Sequence, residues 1–218
     1  MAYSPVPLIR HFSLVPRTDA DSDEREVLSI WSGQKRTGWP ELEQEFRCVI
    51  LAEAGAGKSF EMEARARHSE GQGRAAFFIR IEDIEGDFDE AFEIGSAESF
   101  QKWLSSEEDA WFFLDSVDEA RLISARAFEK AIKRFASRIK SAQQRAHIYI
   151  SSRPYAWRAR TDRNLLEQCL PFKKAVSEET GGDKGDIDGD AASGPVEQEN
   201  ALNVYLLEPL DEAGIRVF

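Results

Sequence analysis

Short apolar runs alternate with amphipathic stretches along most of this chain. Phe46 to Leu51 (FRCVIL), Ala75 to Ile81 (AAFFIRI), Trp111 to Asp115 (WFFLD), His147 to Ser151 (HIYIS) and Asn203 to Leu207 (NVYLL) are rich in aromatic and β-branched residues. Runs of that length and composition are buried strands. Ser59 to His68 carries good helix formers without Gly or Pro, and Gly71-Gln72-Gly73 stops it. Ser96 to Leu104 reads as a helix with Phe100, Trp103 and Leu104 on one face. From Ser124 to Lys140, Phe128, Ile132, Phe135 and Ile139 recur at spacings of four, three and four, an amphipathic helix. Strands alternating with helices predict an α/β fold with a mainly parallel five-stranded sheet. Right-handed crossovers would cover both faces and make a three-layer sandwich.

The pattern also divides the chain. Residues 1–38 show little periodicity and read as a leader, with Arg17 to Glu26 a polar loop entering a short helix. Residues 39–218 read as one folded domain. Within it, residues 177–200 form an acidic stretch expected to be mobile. Its segment Gly181 to Gly194 has five glycines, four aspartates and one aliphatic residue, and cannot bury a core. Asp186, Asp188, Asp190 and Glu197 match a calcium-loop count, but Ala191 replaces the turn glycine and Pro195 interrupts it, so a solvated acidic loop is expected.

Composition narrows the class. The 218 residues are 42% apolar and 11% aromatic, enough for one well-packed core. No run approaches a membrane span, and the first thirty residues lack a signal-peptide core. Cys48 and Cys169 form neither a disulfide framework nor a zinc spacing, so the compartment is expected to be cytoplasmic. The net charge of −12 excludes a uniformly basic nucleic-acid binder. The charge is segregated, however. Glu82 to Glu119 holds 14 acids and one base, whereas Arg121 to Arg145 holds 8 bases and one acid. The basic helix face (Arg126, Lys130, Lys133, Arg134, Lys140) is expected to be solvated, with an acidic partner or nucleic acid as the alternatives.

The clearest chemistry lies directly after the first predicted strand. Ala52-Glu53-Ala54-Gly55-Ala56-Gly57-Lys58-Ser59 has the Walker A form A-x-x-x-x-G-K-S, with Ala52 in place of the usual first glycine. Small residues let successive backbone N–H groups wrap a phosphate, and the following helix offers its positive end to the same anion. Residues Glu53 to Phe60 are therefore the candidate nucleotide contacts. Lys58 would reach the β- and γ-phosphates, and Ser59 would offer its hydroxyl to Mg²⁺. Ala52 is tolerable only with a negative φ and a methyl directed away from the nucleotide.

The third predicted strand ends on Asp115, the Walker B arrangement, where a carboxylate can hold Mg²⁺. Ser116 occupies the position where many phosphate-loop ATPases carry the glutamate that polarises water. Asp118 and Glu119 are then the candidates for general base. The fourth strand ends at Ser151-Ser152-Arg153-Pro154, and Arg153 can hydrogen-bond the γ-phosphate or the acids beside it. A GTPase fits less well, because no N/T-K-x-D base-reading motif is present. Trp39 and Trp157 are expected to be partial core.

Together, A-E-A-G-A-G-K-S, W-F-F-L-D-S-V-D-E-A, I-Y-I-S-S-R-P and Y-L-L-E-P-L-D resemble the NACHT branch of the STAND signalling NTPases, from about Trp39 to Phe218. That family has a small residue after the Mg²⁺ aspartate and an acid pair two residues on, matched by Ser116 and Asp118-Glu119. Its T/S-S-R-P sensor is matched by Ser151 to Pro154. The resemblance implies an ATP-binding, Mg²⁺-dependent NTPase acting as a conformational switch, in some bacterial members in antiviral defence. A nucleotide-binding assembly module with little hydrolysis is the alternative. Because family members continue into helical and winged-helix modules, the chain is expected to be a nucleotide-binding core, or a fragment ending at Phe218. It would be largely monomeric alone, slow in turnover and weak in nucleotide affinity. Self-association would need the downstream modules, and the trigger, protein or nucleic acid, is not implied.

Overall fold

The structure, a computed structural model, describes residues 10–16, 36–172 and 202–209. Among these the strands are β1 (Phe12–Leu14), β2 (Arg36–Thr37), β3 (Arg47–Leu51), β4 (Ala75–Arg80), β5 (Phe92–Ile94), β6 (Ala110–Asp115), β7 (Ala146–Ser152) and β8 (Asn203–Leu207). The helices are α1 (Trp39–Leu42), α2 (Lys58–Gly71), α3 (Ala97–Leu104), α4 (Val117–Ile123), α5 (Ala127–Ile139) and α6 (Ala159–Cys169). Short 3₁₀ turns lie at Ile81–Glu85, Gln143–Arg145 and Pro154–Ala156.

All eight strands form one mixed sheet in the order β2-β1-β8-β3-β7-β6-β4-β5. The five expected strands make its parallel centre, β8-β3-β7-β6-β4. The expectation of a five-stranded sheet is corrected by three antiparallel additions. β1 and β2 extend the β8 edge, and β5 extends the β4 edge. Each addition is two or three residues long, too short to leave a periodic signal. Two of them come from within the leader, which is thereby woven into the sheet.

Every residue of β3 and β7 is buried, as expected for strands covered on both faces. Alternate side chains sort onto the two sides. Val49, Leu51, Phe77, Ile79, Phe112, Leu114, Ile148, Ile150 and Val204 pack with α3, α5 and α6 residues such as Phe100, Trp103, Phe135 and Leu166. Cys48, Ile50, Phe78, Phe113, Tyr149 and Tyr205 pack instead with Trp39 and Leu42 of α1 and Met62 and Ala66 of α2. Trp39 and Trp157 are both core, as expected. Phe77 stacks on Phe112 at 4.9 Å and Phe113 on Tyr149 at 5.0 Å, so aromatic contacts tie neighbouring strands on both faces.

The helix expected at 124–140 begins at Ala127, and that at 59–68 spans Lys58–Gly71. The helices α4 and α6 were not expected. The segregated charge resolves in space: Lys130 faces Glu85 at 3.7 Å, Arg134 donates to the Glu85 carbonyl, and Arg138 pairs with Asp89. Arg126, Lys130, Lys133, Arg134 and Lys140 are all exposed, as expected for a solvated face, and only Lys130 among them is seen paired with an acid of the acidic stretch. The polar loop at 17–26 and the acidic stretch at 177–200 lie outside the described residues.

Gly95, between β5 and α3, has φ +82°, and a Cβ there would lie 2.5 Å from the Phe77 ring and 3.0 Å from the Ala76 carbonyl. Gly95→Ala should therefore destabilise the protein by about 1–3 kcal/mol. Gly71→Ala, with open space at its Cβ, should be neutral or mildly stabilising. Urea denaturation of both checks this, and equal midpoints would contradict it.

Candidate functional site

β3, β6 and β7 all point their carboxyl ends at one rim of the sheet. The chain leaves β3 toward β4 on one side, and β8 lies on its other side. Such a switch in direction opens a crevice beyond the strand ends. The loop that leaves β3 is fixed at its root, where the Ala52 N–H donates to the Ser152 carbonyl at 3.0 Å. Ala52 is fully buried and, among the described residues, only Ser116 has a positive φ outside glycine. The φ of Ala52 is therefore not positive, and its methyl packs in the core. The loop then curls through Gly55 (φ +78°) and Gly57 (φ +82°), a backbone that side chains rarely adopt. Gly57 caps the N-terminus of α2, and Lys58 is the first helical residue.

A cavity of about 220 Å³ opens at this point, lined by Glu53, Ala54, Gly55, Gly57, Lys58, Ser59, Phe60, Glu119 and Arg153. Of the expected nucleotide contacts at 53–60, only Ala56 is not in the lining. Phe60 is about half exposed beside it. The expected catalytic pair is divided: Glu119 faces the cavity, whereas Asp118 is buried behind it.

Behind the lining lies a compact ionic knot. Lys58 Nζ sits 3.2 Å from Asp118 Oδ1, 3.2 Å from Ser116 Oγ and 3.9 Å from Asp115 Oδ1. Arg153 Nε pairs with Asp118 Oδ2 at 2.9 Å, and the Arg153 backbone N–H donates to Asp118 Oδ1 at 3.3 Å. Asp115 accepts from the Ser116 hydroxyl at 3.0 Å and from the Ser151 hydroxyl. The Ser116 N–H donates to Ser151 Oγ at 2.9 Å, which helps hold Ser116 at φ +70°. Thus Lys58, Asp115, Asp118 and Arg153, read from three separate motifs, converge at the ends of β3, β6 and β7.

The donor set suits a polyphosphate. Residues carrying an ammonium and a guanidinium line a water-accessible space at a helix N-terminus, with a serine hydroxyl beside them, and Asp118 holds both cations. Of the two expected Mg²⁺ ligands, Ser59 lines the cavity, whereas Asp115 is buried behind it with both oxygens accepting from serine hydroxyls. No group of three or more His, Cys, Asp or Glu residues able to hold a metal occurs among the described residues.

Two neighbours of the site had no signal in the sequence. Arg10, just before β1, reaches the Gly55–Gly57 loop at the Ala56 carbonyl. Glu82, in the turn after β4, has a buried Oε2 without a hydrogen-bond partner. Burial pushes its carboxyl up to about 7; the nearby charges of Glu119 and Asp83 add to this, while a hydrogen bond to its own backbone and Arg80 oppose it.

Glu82 yields a pH test. Its folded pKa of about 7 exceeds the ordinary glutamate value, so the folded state binds the extra proton and stability falls as pH rises through that window. Glu82→Gln carries no ionisable group there. The melting temperature of the variant relative to wild type should rise between pH 5 and pH 8. A relative fall would show that the ionised carboxylate is stabilising. Compared with known proteins, the sequence matches no protein-family model and no curated protein.

Proposed function

We propose that this chain is an ATP-binding, Mg²⁺-dependent nucleoside-triphosphatase of the NACHT type, working as a conformational switch. The observation that carries this reading is the cavity at the N-terminus of α2, where Lys58, Ser59, Glu119 and Arg153 meet. A three-layer phosphate-loop arrangement is the finer reading of the fold, supported by apolar packing on both sheet faces.

In this reading the phosphates lie along the loop from Glu53 to Ser59, with Lys58 and the α2 N-terminus offsetting their charge. Ser59 and Asp115 would hold Mg²⁺, which when bound neutralises charge on the phosphate oxygens. Arg153 lines the same space and, released from Asp118, would stabilise negative charge on the terminal phosphate. Glu119, the member of the acid pair that faces the cavity, orients the attacking water and accepts its proton. Asp118 is the wrong choice for that task. Its carboxylate is buried and held by Lys58 and Arg153. Its role is to park both cations until phosphate arrives, so binding exchanges one anion for another. That exchange is the switching step.

ATP is favoured over GTP by the family resemblance rather than by the site's geometry. Competition of the two against one labelled nucleotide would rank them.

Lys58→Ala should lose nucleotide binding, because the loop keeps its amides but loses its cation. Glu119→Gln should bind ATP near the wild-type level and lose about 10²–10⁴-fold in single-turnover hydrolysis. Tight ATP binding by Lys58→Ala would overturn the reading. Wild-type binding with no hydrolysis would favour the assembly module instead.

A further inference from the structure

Arg10 precedes β1, forty-six positions from the residue of the phosphate loop it touches. Its guanidinium is almost wholly buried and joins three segments. One terminal nitrogen donates to the Ala56 carbonyl at 2.9 Å and to the Glu208 carbonyl at 3.2 Å, at the exit of β8. Its Nε lies 3.9 Å from Glu61 Oε1, within the first turn of α2. Glu61 in turn accepts from Trp39 Nε1 at 3.2 Å. β1 is seated beside this contact, since the Glu208 N–H donates to the His11 carbonyl at 2.9 Å.

Ala56 is the one residue between Glu53 and Phe60 that does not line the cavity, while Gly55 and Gly57 on either side do. Arg10 therefore grips the loop from outside. A trans peptide is planar, so its N–H points opposite to its C=O. No peptide bond among the described residues is cis. With the Ala56 carbonyl drawn toward Arg10, the Gly57 N–H of the same peptide is turned the other way, on the side of the cavity that Gly57 lines. The flipped peptide would present a carbonyl oxygen to an incoming anion and repel it. Gly57, whose φ such a flip would rotate, has the conformational freedom for it.

We infer that Arg10 is a positioning residue for the phosphate loop: by holding the Ala56 carbonyl it keeps the Gly57 N–H available to a phosphate. The inference rests on the phosphate-binding reading above.

The test uses the full chain, with ATP–Mg²⁺ as the probe and two readouts well below the melting temperature. Arg10→Gln keeps a donor and loses the charge and the fork; Arg10→Lys keeps the charge. Ser13→Ala removes the Ser13 hydroxyl that donates to Glu208, loosening the β1–β8 contact without touching the loop. Arg10→Gln should bind ATP about tenfold more weakly, as expected for losing a charge-assisted hydrogen bond, with partial recovery in Arg10→Lys. Without nucleotide, hydrogen exchange at the Gly55 to Lys58 amides should speed up in Arg10→Gln while β6 amides stay protected. Ser13→Ala should keep wild-type affinity. A lower melting temperature in Arg10→Gln with unchanged affinity and loop exchange would reduce Arg10 to packing and overturn the inference alone. Equal weakening in Ser13→Ala would overturn it too. A wild-type chain that does not bind ATP would overturn the phosphate reading, and this inference with it.

Discussion

A carboxylate shut away from water must be met by positive charge, and Asp118 is met twice. Lys58 comes to it from the start of α2 and Arg153 from the exit of β7. Neither cation is near Asp118 in sequence. Leaving such a group without one partner costs about 3–5 kcal/mol, so the three chain segments are bound to one another by charge before any ligand is considered. The hydroxyls of Ser116 and Ser151 complete the arrangement by satisfying Asp115. The rim of the sheet is thus organised around charge balance, and the apolar strands beneath it supply the rigid platform.

That arrangement explains why the acid pair Asp118-Glu119 does not act as a pair. Adjacent residues at the start of a helix point about 100° apart. One carboxylate turns inward to the cations and the other faces the cavity. The sequence alone leaves either residue able to handle water, and only the rotation of α4 distinguishes them. The carboxyl of Glu82, brought close by the turn after β4, lies on the same flank, where burial and the charge of Glu119 favour its protonated form.

Much of this was legible from residue order because its signals are local. The five central strands are continuous apolar runs, and the glycine-rich loop, Asp115 and the Ser-Ser-Arg-Pro exit are compact motifs. What escaped lacks a local signal. Helix α4 ends on Leu122 and Ile123, both largely exposed, so its apolar positions do not follow a buried face. Helix α6 buries only Asp162 and Leu166, and Arg121 pairs with that aspartate across 41 positions. β1, β2 and β5 exist because a neighbouring edge offers hydrogen bonds, and nothing within two or three residues can announce that. The grip of Arg10 on Ala56 is longer-ranged still, and no spacing rule connects them.

The shortness of those outer strands has a consequence of its own. Among the described residues the sheet ends in a two-residue strand on one side and a three-residue strand on the other. An unpaired edge is a template for another chain, and such a stub offers few free backbone groups. Among the described residues, both margins of the sheet therefore give an added strand little to pair with. That leaves helix surfaces and the rim of loops at the strand ends, and at that rim a partner would touch the cavity-lining residues directly, so association and cavity occupancy would share one surface.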